Sequence, residues 1–138
     1  MRLVLDTNVV VSGLLWDGAP RRLLQLAREK RVDLVTSAPL LAELTNILDR
    51  RKFAKKIAAS MRTIDELVDR YAALTEMVRP TSTTRIAPDP DDDVVIGTAL
   101  AAAVDLIVTG DQALLSVAVY RGVRIVGVSE AIQIIGAA

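Results

Sequence analysis

The stretch LVLDTN at residues 3–8 is an apolar run that stops abruptly at three polar residues. A short apolar run with polar boundaries is typical of a strand buried on both faces, as in a parallel sheet with helices on either side. Asp6 then lies at the carboxyl edge of that strand, where sites form in such sheets. A single acid at a strand end is usually a turn or cap residue, so a site is predicted only if other acids return to the same edge.

Apolar periodicity along the rest of the chain predicts alternating strands and helices. Further strands are expected at Asp33–Thr36, Met77–Arg79, Leu106–Thr109 and Val123–Val128. Helices are expected at Asn8–Leu15, Pro20–Lys30, Pro39–Arg51 and Met61–Met77, from the Asp-rich segment to Ala103, and at Gln112–Tyr120 and Glu130–Ile135. This order predicts an α/β fold, a three-layer sandwich with a central, mainly parallel sheet. The length of 138 residues suits one domain spanning residues 1–138.

The composition limits the chemistry that the chain can perform. It contains no Cys and no His, which excludes zinc sites built on thiolate or imidazole, thiol redox chemistry and catalytic triads that use His. Any catalysis must therefore use carboxylates or Lys. Asp6 interrupts the amino terminus before a signal-peptide apolar region develops, and Asp105 breaks the apolar stretch 94–108. We therefore expect a soluble, cytoplasmic protein that does not bind a membrane.

Acids stand at the carboxyl edge of the predicted sheet in four places. Asp6 and Asp111 close two strands, and Glu43 lies in the second turn of a helix that follows a strand. The helix that precedes the strand of Asp111 opens with Asp92 and Asp93. Because a helix that follows a parallel strand begins at the carboxyl edge, and a helix that precedes one also starts there, these acids are expected to converge.

Two of these places also have a simpler explanation. A lone Glu in an apolar helix face, such as Glu43, commonly reaches solvent or pairs with Arg, and capping explains one or two acids at a helix start. Four acids among residues 89–93, however, repel each other unless a cation or a basic group neutralises them. A donor set made only of oxygens predicts Mg²⁺ or Mn²⁺. Such sites serve phosphoryl transfer.

Four motifs, in this order, resemble those of the PIN domain family. They are LDTNV at residues 5–9, a helical Glu43 after Thr-Ser, DPDD at residues 89–92 and IVTGD at residues 107–111. They span nearly the whole chain, and the subgroup that the chain resembles is that of the VapC toxins, Mg²⁺-dependent ribonucleases of toxin-antitoxin systems. The resemblance implies a metal-dependent endoribonuclease that hydrolyses RNA, with a small antitoxin protein as its partner.

The resemblance also assigns roles to individual residues. It implies that the metal-binding and catalytic acids are Asp6, Glu43, Asp92 and Asp111, with hydrogen-bonding support from Asn8 and Thr109. Related sequences usually have Asp-Asn where this chain has Asp92-Asp93, so Asp93 is an alternative metal ligand. Helical periodicity slightly favours Asp92, which shares a face with Val95, Ile96 and Ala99. Asp89 is expected to be a turn residue.

Two other functional interpretations stay open at this point. A receiver-like or phosphatase-like domain with Asp6 as phosphoacceptor would require a second acid or a nearby Lys. This chain has Thr7 and Asn8 at those positions, which argues against such a domain. A non-catalytic interaction module with the same fold would predict no metal-dependent cleavage and no special role for Asp6. The intact set of acids argues against this module.

Basic charge is concentrated in a different part of the chain. The formal net charge is zero, yet residues 21–70 hold twelve basic and seven acidic residues. A basic cluster at Arg50–Lys56 surrounds Phe53 directly after the helix of Glu43. A solvated face explains most such runs, so steering of a polyanion is the minority expectation, and one ring is too little for a stacking platform. The amphipathic helices leave a homodimer possible.

Overall fold

The computed structural model describes residues 1–81 and 90–137, except for the side chains of residues 90–92 and 137. The strands in these ranges are β1 (Arg2–Leu5), β2 (Asp33–Thr36), β3 (Thr75–Met77), β4 (Leu106–Val108), β5 (Val119–Tyr120) and β6 (Val123–Val126). The helices are α1 (Thr7–Leu15), α2 (Ala19–Arg28), α3 (Ala38–Leu48), α4 (Ala54–Ala59), α5 (Ile64–Ala72), α6 (Pro90–Ala101), α7 (Gln112–Leu115) and α8 (Val128–Ala137). A 3-10 turn at Arg51–Phe53 precedes α4.

The strands form one sheet in the order β3-β2-β1-β4-β6-β5. The neighbours are parallel except for β5 and β6, which are antiparallel. From β1 the chain builds outwards through β2 and β3, and then returns to the other side of β1 with β4. In open sheets of this kind, a crevice forms at the carboxyl edge where the strand order reverses. The ends of β1 and β4 are therefore the natural place for a site.

The alternating side chains of β1 divide the core into two layers. Leu3 and Leu5 pack against α1, α2, α3, α5 and α8 on one face of the sheet. Val4 packs with residues of α6 and α7 on the other face. Because both faces are covered, β1 is an uninterrupted apolar run instead of an alternating one. The predicted α/β sandwich with a central, mainly parallel sheet is confirmed.

The predicted helix Met61–Met77 and the predicted strand Met77–Arg79 have the wrong bounds. Helix α5 begins after Thr63, which forms a capping box with Glu66. A hydrogen bond from the Thr63 backbone N–H, and a second from its side chain, lower the pKa of Glu66. After α5 ends, the Thr75 hydroxyl donates to the Ala72 carbonyl at 2.8 Å and the chain enters β3. Parallel pairing with β2, which helical periodicity does not encode, decides the conformation of residues 75–77.

The predicted helix Gln112–Tyr120 is also too long, since α7 ends at Leu115. The residues that follow form a hairpin of β5 and β6. Its turn contains Arg121 and Gly122, which both have positive φ angles, 48° and 84°. Two consecutive positive φ values are typical of the two-residue turns that match the twist of a hairpin. The short β5 lies at the edge of the sheet.

Other differences are smaller. The helix predicted at Pro39–Arg51 ends at Leu48, and α4, which was not predicted, follows it. The last strand ends at Val126 and α8 begins at Val128, two residues before its predicted start. Most of the predicted loop between Pro80 and Pro90, including Asp89, lies outside the described residues. No helix within residues 1–81 and 90–137 has the length and hydrophobicity needed to cross a bilayer.

Candidate active site

Asp6 occupies the junction between β1 and α1. Its backbone N–H donates to the Val108 carbonyl at 2.9 Å, which continues the pairing of β1 with β4. Its side chain is 7% exposed, and Oδ1 accepts from the Thr7 backbone N–H at 2.8 Å as the cap of α1. A buried carboxylate is tolerated only where donors surround it. The strand end and the helix start together supply the first of these donors.

Thr109 supplies a second donor from the neighbouring strand. Leu5 and Val108 are register partners, so the residues that follow them lie side by side at the edge of the sheet. The hydroxyl of the fully buried Thr109 donates to Asp6 Oδ2 at 2.7 Å. The Thr109 hydroxyl oxygen in turn accepts from the Asp111 backbone N–H at 3.0 Å. Thr109 therefore connects Asp6 to the loop that carries Asp111.

Thr7 connects Asp6 to the acid on α3. While its N–H donates to Asp6, its hydroxyl donates to Glu43 Oε2 at 2.7 Å. Thr7 is buried and Glu43 is half-buried, and α1 packs against α3 at this point. This contact is the physical reason for a carboxylate inside the apolar face of α3. Thr7 was not among the predicted site residues, although its position between two polar residues directly after a buried strand was an available signal.

Helix α6 is fixed to the same edge by two close contacts. The buried hydroxyls of Ser37, at the end of β2, and Thr98 are hydrogen-bonded at 2.9 Å. On another side, the Thr81 N–H donates to the Gly97 carbonyl at 3.0 Å, and a Cβ at Gly97 would collide with the carbonyl oxygen of Thr81. Only glycine permits this approach, because its hydrogen takes the place of Cβ. These contacts set the direction in which the acid-rich start of α6 projects.

The other predicted site residues are Asp92, Asp93, Asp111 and Asn8. The side chain of Asp92 lies outside the described residues, and that of Asp93 is half-buried. All residues from Val95 to Ala99 are buried, so helical periodicity does not distinguish Asp92 from Asp93, and the choice stays a prediction. Asp111 Oδ1 accepts from the Ala113 N–H at 2.9 Å and caps α7. Asn8 is exposed, and among the described residues its side chain makes no hydrogen bond to these acids.

The oxygen atoms at this edge are suitable ligands for a hard divalent cation. Asp6 and Glu43 are connected through Thr7, and Asp111 is connected through Thr109. Every side-chain donor is an oxygen, as Mg²⁺ and Mn²⁺ prefer. Within the described part of the chain, no three acids are grouped closely enough to hold a metal ion by themselves. A complete site would therefore need the start of α6 in addition to Asp6 and Glu43.

A comparison with known proteins identifies the family of the chain. A family model described as "PIN domain" matches residues 2–113, which include Asp6, Glu43, Asp92 and Asp111. The chain belongs to the PIN domain family. No curated protein matches the chain. Among solved structures, this PIN domain is similar in fold to a chain of VapBC2 from Rickettsia felis bound to a DNA fragment from their promoter, with a TM-score of 0.62 and 16% identity over 92% of this chain and 98% of that chain.

The described cavities of this PIN domain lie away from the acids. One, of about 490 Å³, is at the amino ends of the strands, lined in part by Arg2, Asp33 and Glu76. An Arg2–Glu76 ion pair at 2.9 Å crosses it.

Proposed function

We propose that the chain is a Mg²⁺- or Mn²⁺-dependent ribonuclease that hydrolyses phosphodiester bonds of RNA, and that it is the toxin component of a toxin-antitoxin system. One observation carries most of the weight. Asp6 and Glu43, from separate elements, are held by the two hydrogen-bond donors of Thr7 at the reversal point of the sheet. Membership of the PIN domain family supports the nuclease, and the fold likeness to VapBC2 supports the toxin subgroup.

Each residue has a proposed role in this activity. Asp6, Glu43, Asp111 and either Asp92 or Asp93 would hold the cation, which when bound would polarise the phosphate and activate water. Both carboxylate oxygens of Asp6 accept a hydrogen bond, so its side chain is kept in one orientation. Thr7 orients Glu43 in the same way. Preorganised ligands of this kind do not have to rearrange during the reaction.

An antitoxin partner is the second part of the proposal. The structure similar in fold is described as VapBC2 bound to promoter DNA. An edge rich in carboxylates is a receptor for an Arg or Lys side chain, which would replace the metal as counter-charge. A neighbouring gene for a small antitoxin-like protein would support the assignment. We place both proteins in the cytoplasm, where RNA is available.

Cleavage of single-stranded or structured RNA by the purified protein tests the nuclease. Activity should require Mg²⁺ or Mn²⁺ and vanish in excess EDTA. Asp6→Asn and Glu43→Gln should each lower the rate by more than about 100-fold, since loss of a metal-site residue typically costs at least that much. The matched control is Asp69→Asn, the same charge change on an exposed residue of α5, which should leave the rate unchanged.

Two results would contradict the proposal. Cleavage that persists in EDTA or in Asp6→Asn would show that the activity is independent of these acids or comes from a contaminant. A folded protein with no cleavage under any metal condition would favour the non-catalytic interaction module.

A further inference from the structure

Two aromatic rings meet on the surface at the far end of α1. Trp16, which follows the last residue of α1, is 39% exposed. Its ring lies edge-on to that of Phe53, with centroids 6.0 Å apart and planes at 71°. In the sequence, Phe53 is the single aromatic residue of the basic cluster. The fold adds the second ring, and together the exposed Trp16 and the half-buried Phe53 offer aromatic surface on which nucleic-acid bases can stack.

Lysines lie over both rings of this aromatic pair. Lys52 Nζ is 5.1 Å from the centroid of Phe53, and Lys56 Nζ is 5.4 Å from that of Trp16. Residues 49–62 contain six basic residues and one acid. Within the ranges that the structure describes, none of the six forms a salt bridge. Their charge is therefore not neutralised by an acid in those ranges and can attract an external polyanion.

A cationic cavity borders the same end of α1. It measures about 330 Å³, and Gly13 and Leu14 form part of its wall. The basic side chains that line it are Arg21, Arg28, Arg62 and Arg70. Arg21 is fixed by the carbonyls of Gly13 and Leu14 and by Asp17. The other three form no salt bridge among the described residues. Several guanidinium groups around one polar cavity suit the oxygens of a phosphate.

We propose that the Trp16–Phe53 pair and this arginine cavity form one binding surface for single-stranded RNA, with bases stacked on the rings and a backbone phosphate in the cavity. The proposal rests on the ribonuclease function proposed above and gives the substrate a second contact outside the acids. Asp6 and Trp16 stand at opposite ends of α1, which is about 14 Å long at 1.5 Å per residue. One RNA strand can therefore touch both.

Other occupants fit this surface less well. In a twofold dimer through this patch, the basic residues of one copy would face those of the other, which is repulsive. An acidic protein segment would satisfy the charges, but it offers a flat ring only where it has an aromatic residue, whereas every nucleotide carries a base. Single-stranded RNA supplies both the negative charge and the stacking partner.

Tryptophan fluorescence gives a direct test, because Trp16 is the only tryptophan of the chain. Titrating the 138-residue chain with a short oligoadenylate in EDTA, where no cleavage occurs, should quench the emission. Phe53→Leu should weaken binding about 5- to 150-fold, the range for loss of one stacked base. The double variant Lys52→Gln/Lys56→Gln should make the salt dependence shallower by about 1.4 in the log–log slope, about 0.7 per lost phosphate contact.

A matched control is available on the edge strand β5. There the Arg121 guanidinium lies 5.2 Å from the ring centroid of Tyr120. Tyr120→Leu removes a ring under a cation, as Phe53→Leu does, but should leave RNA binding unchanged. Asp6→Asn should lose cleavage and keep the quenching, so that failure of the proposed function and failure of this surface give different results.

Three outcomes would overturn the inference. The first is no quenching by RNA, or equal effects of Phe53→Leu and Tyr120→Leu with both variants shown to be folded by circular dichroism. The second is that polyglutamate competes as well as RNA of equal charge, which would indicate an acidic protein partner. The third is an unchanged salt dependence in Lys52→Gln/Lys56→Gln, which would show that these lysines do not contact the phosphates. If Phe53→Leu does not fold, the lysine variant, which changes only exposed side chains, decides the question.

Discussion

Thr109→Val tests whether one hydroxyl organises the acidic edge. The change replaces an oxygen by a methyl group of similar shape at a fully buried position. It removes the hydrogen bond from the hydroxyl to Asp6 Oδ2 at 2.7 Å and leaves the Asp111 N–H without its acceptor at 3.0 Å. Because the shape is kept, the packing around β4 should change little, and the loss of stability measures mainly these two interactions.

The size of the effect follows from the two partners. A hydrogen bond to a charged carboxylate contributes about 1.5–3 kcal/mol, and the bond to the partly buried N–H about 0.5–1.5 kcal/mol. Burial of the new methyl group stabilises the variant by about 0.8 kcal/mol. The free energy of unfolding at neutral pH should therefore fall by roughly 1.5–3.5 kcal/mol relative to the parent. Cleavage should fall too, since Asp6 loses a contact that fixes its orientation.

Urea unfolding, followed by circular dichroism, measures this difference. The matched control is Thr109→Ser, which keeps the hydroxyl and loses one methyl group at a cost of about 0.5–1.5 kcal/mol. A double-mutant cycle with Asp6→Ala should give a coupling energy of at least about 1 kcal/mol between the two side chains. A coupling near zero, or a Val variant more stable than the Ser variant, would refute the reasoning.

Two further predictions concern the helices α6 and α7. Gly97→Ala should destabilise the protein by roughly 1–3 kcal/mol in urea unfolding, because the new Cβ meets the Thr81 carbonyl. The control Gly136→Ala, which has open space at Cβ, should be neutral or stabilising by up to about 1 kcal/mol. A stabilising effect of Gly97→Ala would disprove the close approach. Asp111→Asn should stabilise the metal-free protein, since Asn keeps the cap of α7 while the repulsion between acids falls. Millimolar Mg²⁺ should then raise the melting temperature of the parent more than that of this variant, and no response in either would make Asp111 purely structural.

The fold was largely predictable because a strand that is buried on both faces of the sheet appears in the sequence as an uninterrupted apolar run. β1 and β2 are short apolar runs with polar ends, and the structure confirms both. The errors occur where pairing or a turn decides the conformation. β3 pairs with β2 although its residues continue an apolar helical stripe, and β5 depends on positive φ angles at Arg121 and Gly122. Neither factor is visible in periodicity.

The approximate positions of Asp6, Glu43 and Asp111 were predictable, but the hydrogen bonds between them were not, and their role as metal ligands stays a prediction. The edge of the sheet places Asp6, Glu43 and Asp111 in one region, and the topology alone is enough for that. The hydrogen bonds of Thr7 to both Asp6 and Glu43 depend on the angle at which α1 packs on α3, which spacing does not reveal. The meeting of Trp16 with Phe53 depends on the same packing.

Asp6 shows why stability and function are difficult to separate at this edge. Its carboxylate caps α1 through the Thr7 N–H and accepts from the Thr109 hydroxyl, so it belongs to the helix start and to the strand pair at once. Asn at this position would relieve repulsion between acids but would present an amide N–H₂ group to one of these donors. Asp111 caps a helix through one backbone N–H, which Asn can also accept. Neutral substitution should therefore stabilise the metal-free protein at Asp111 more than at Asp6, because only at Asp6 does the carboxylate charge satisfy two buried donors from different elements.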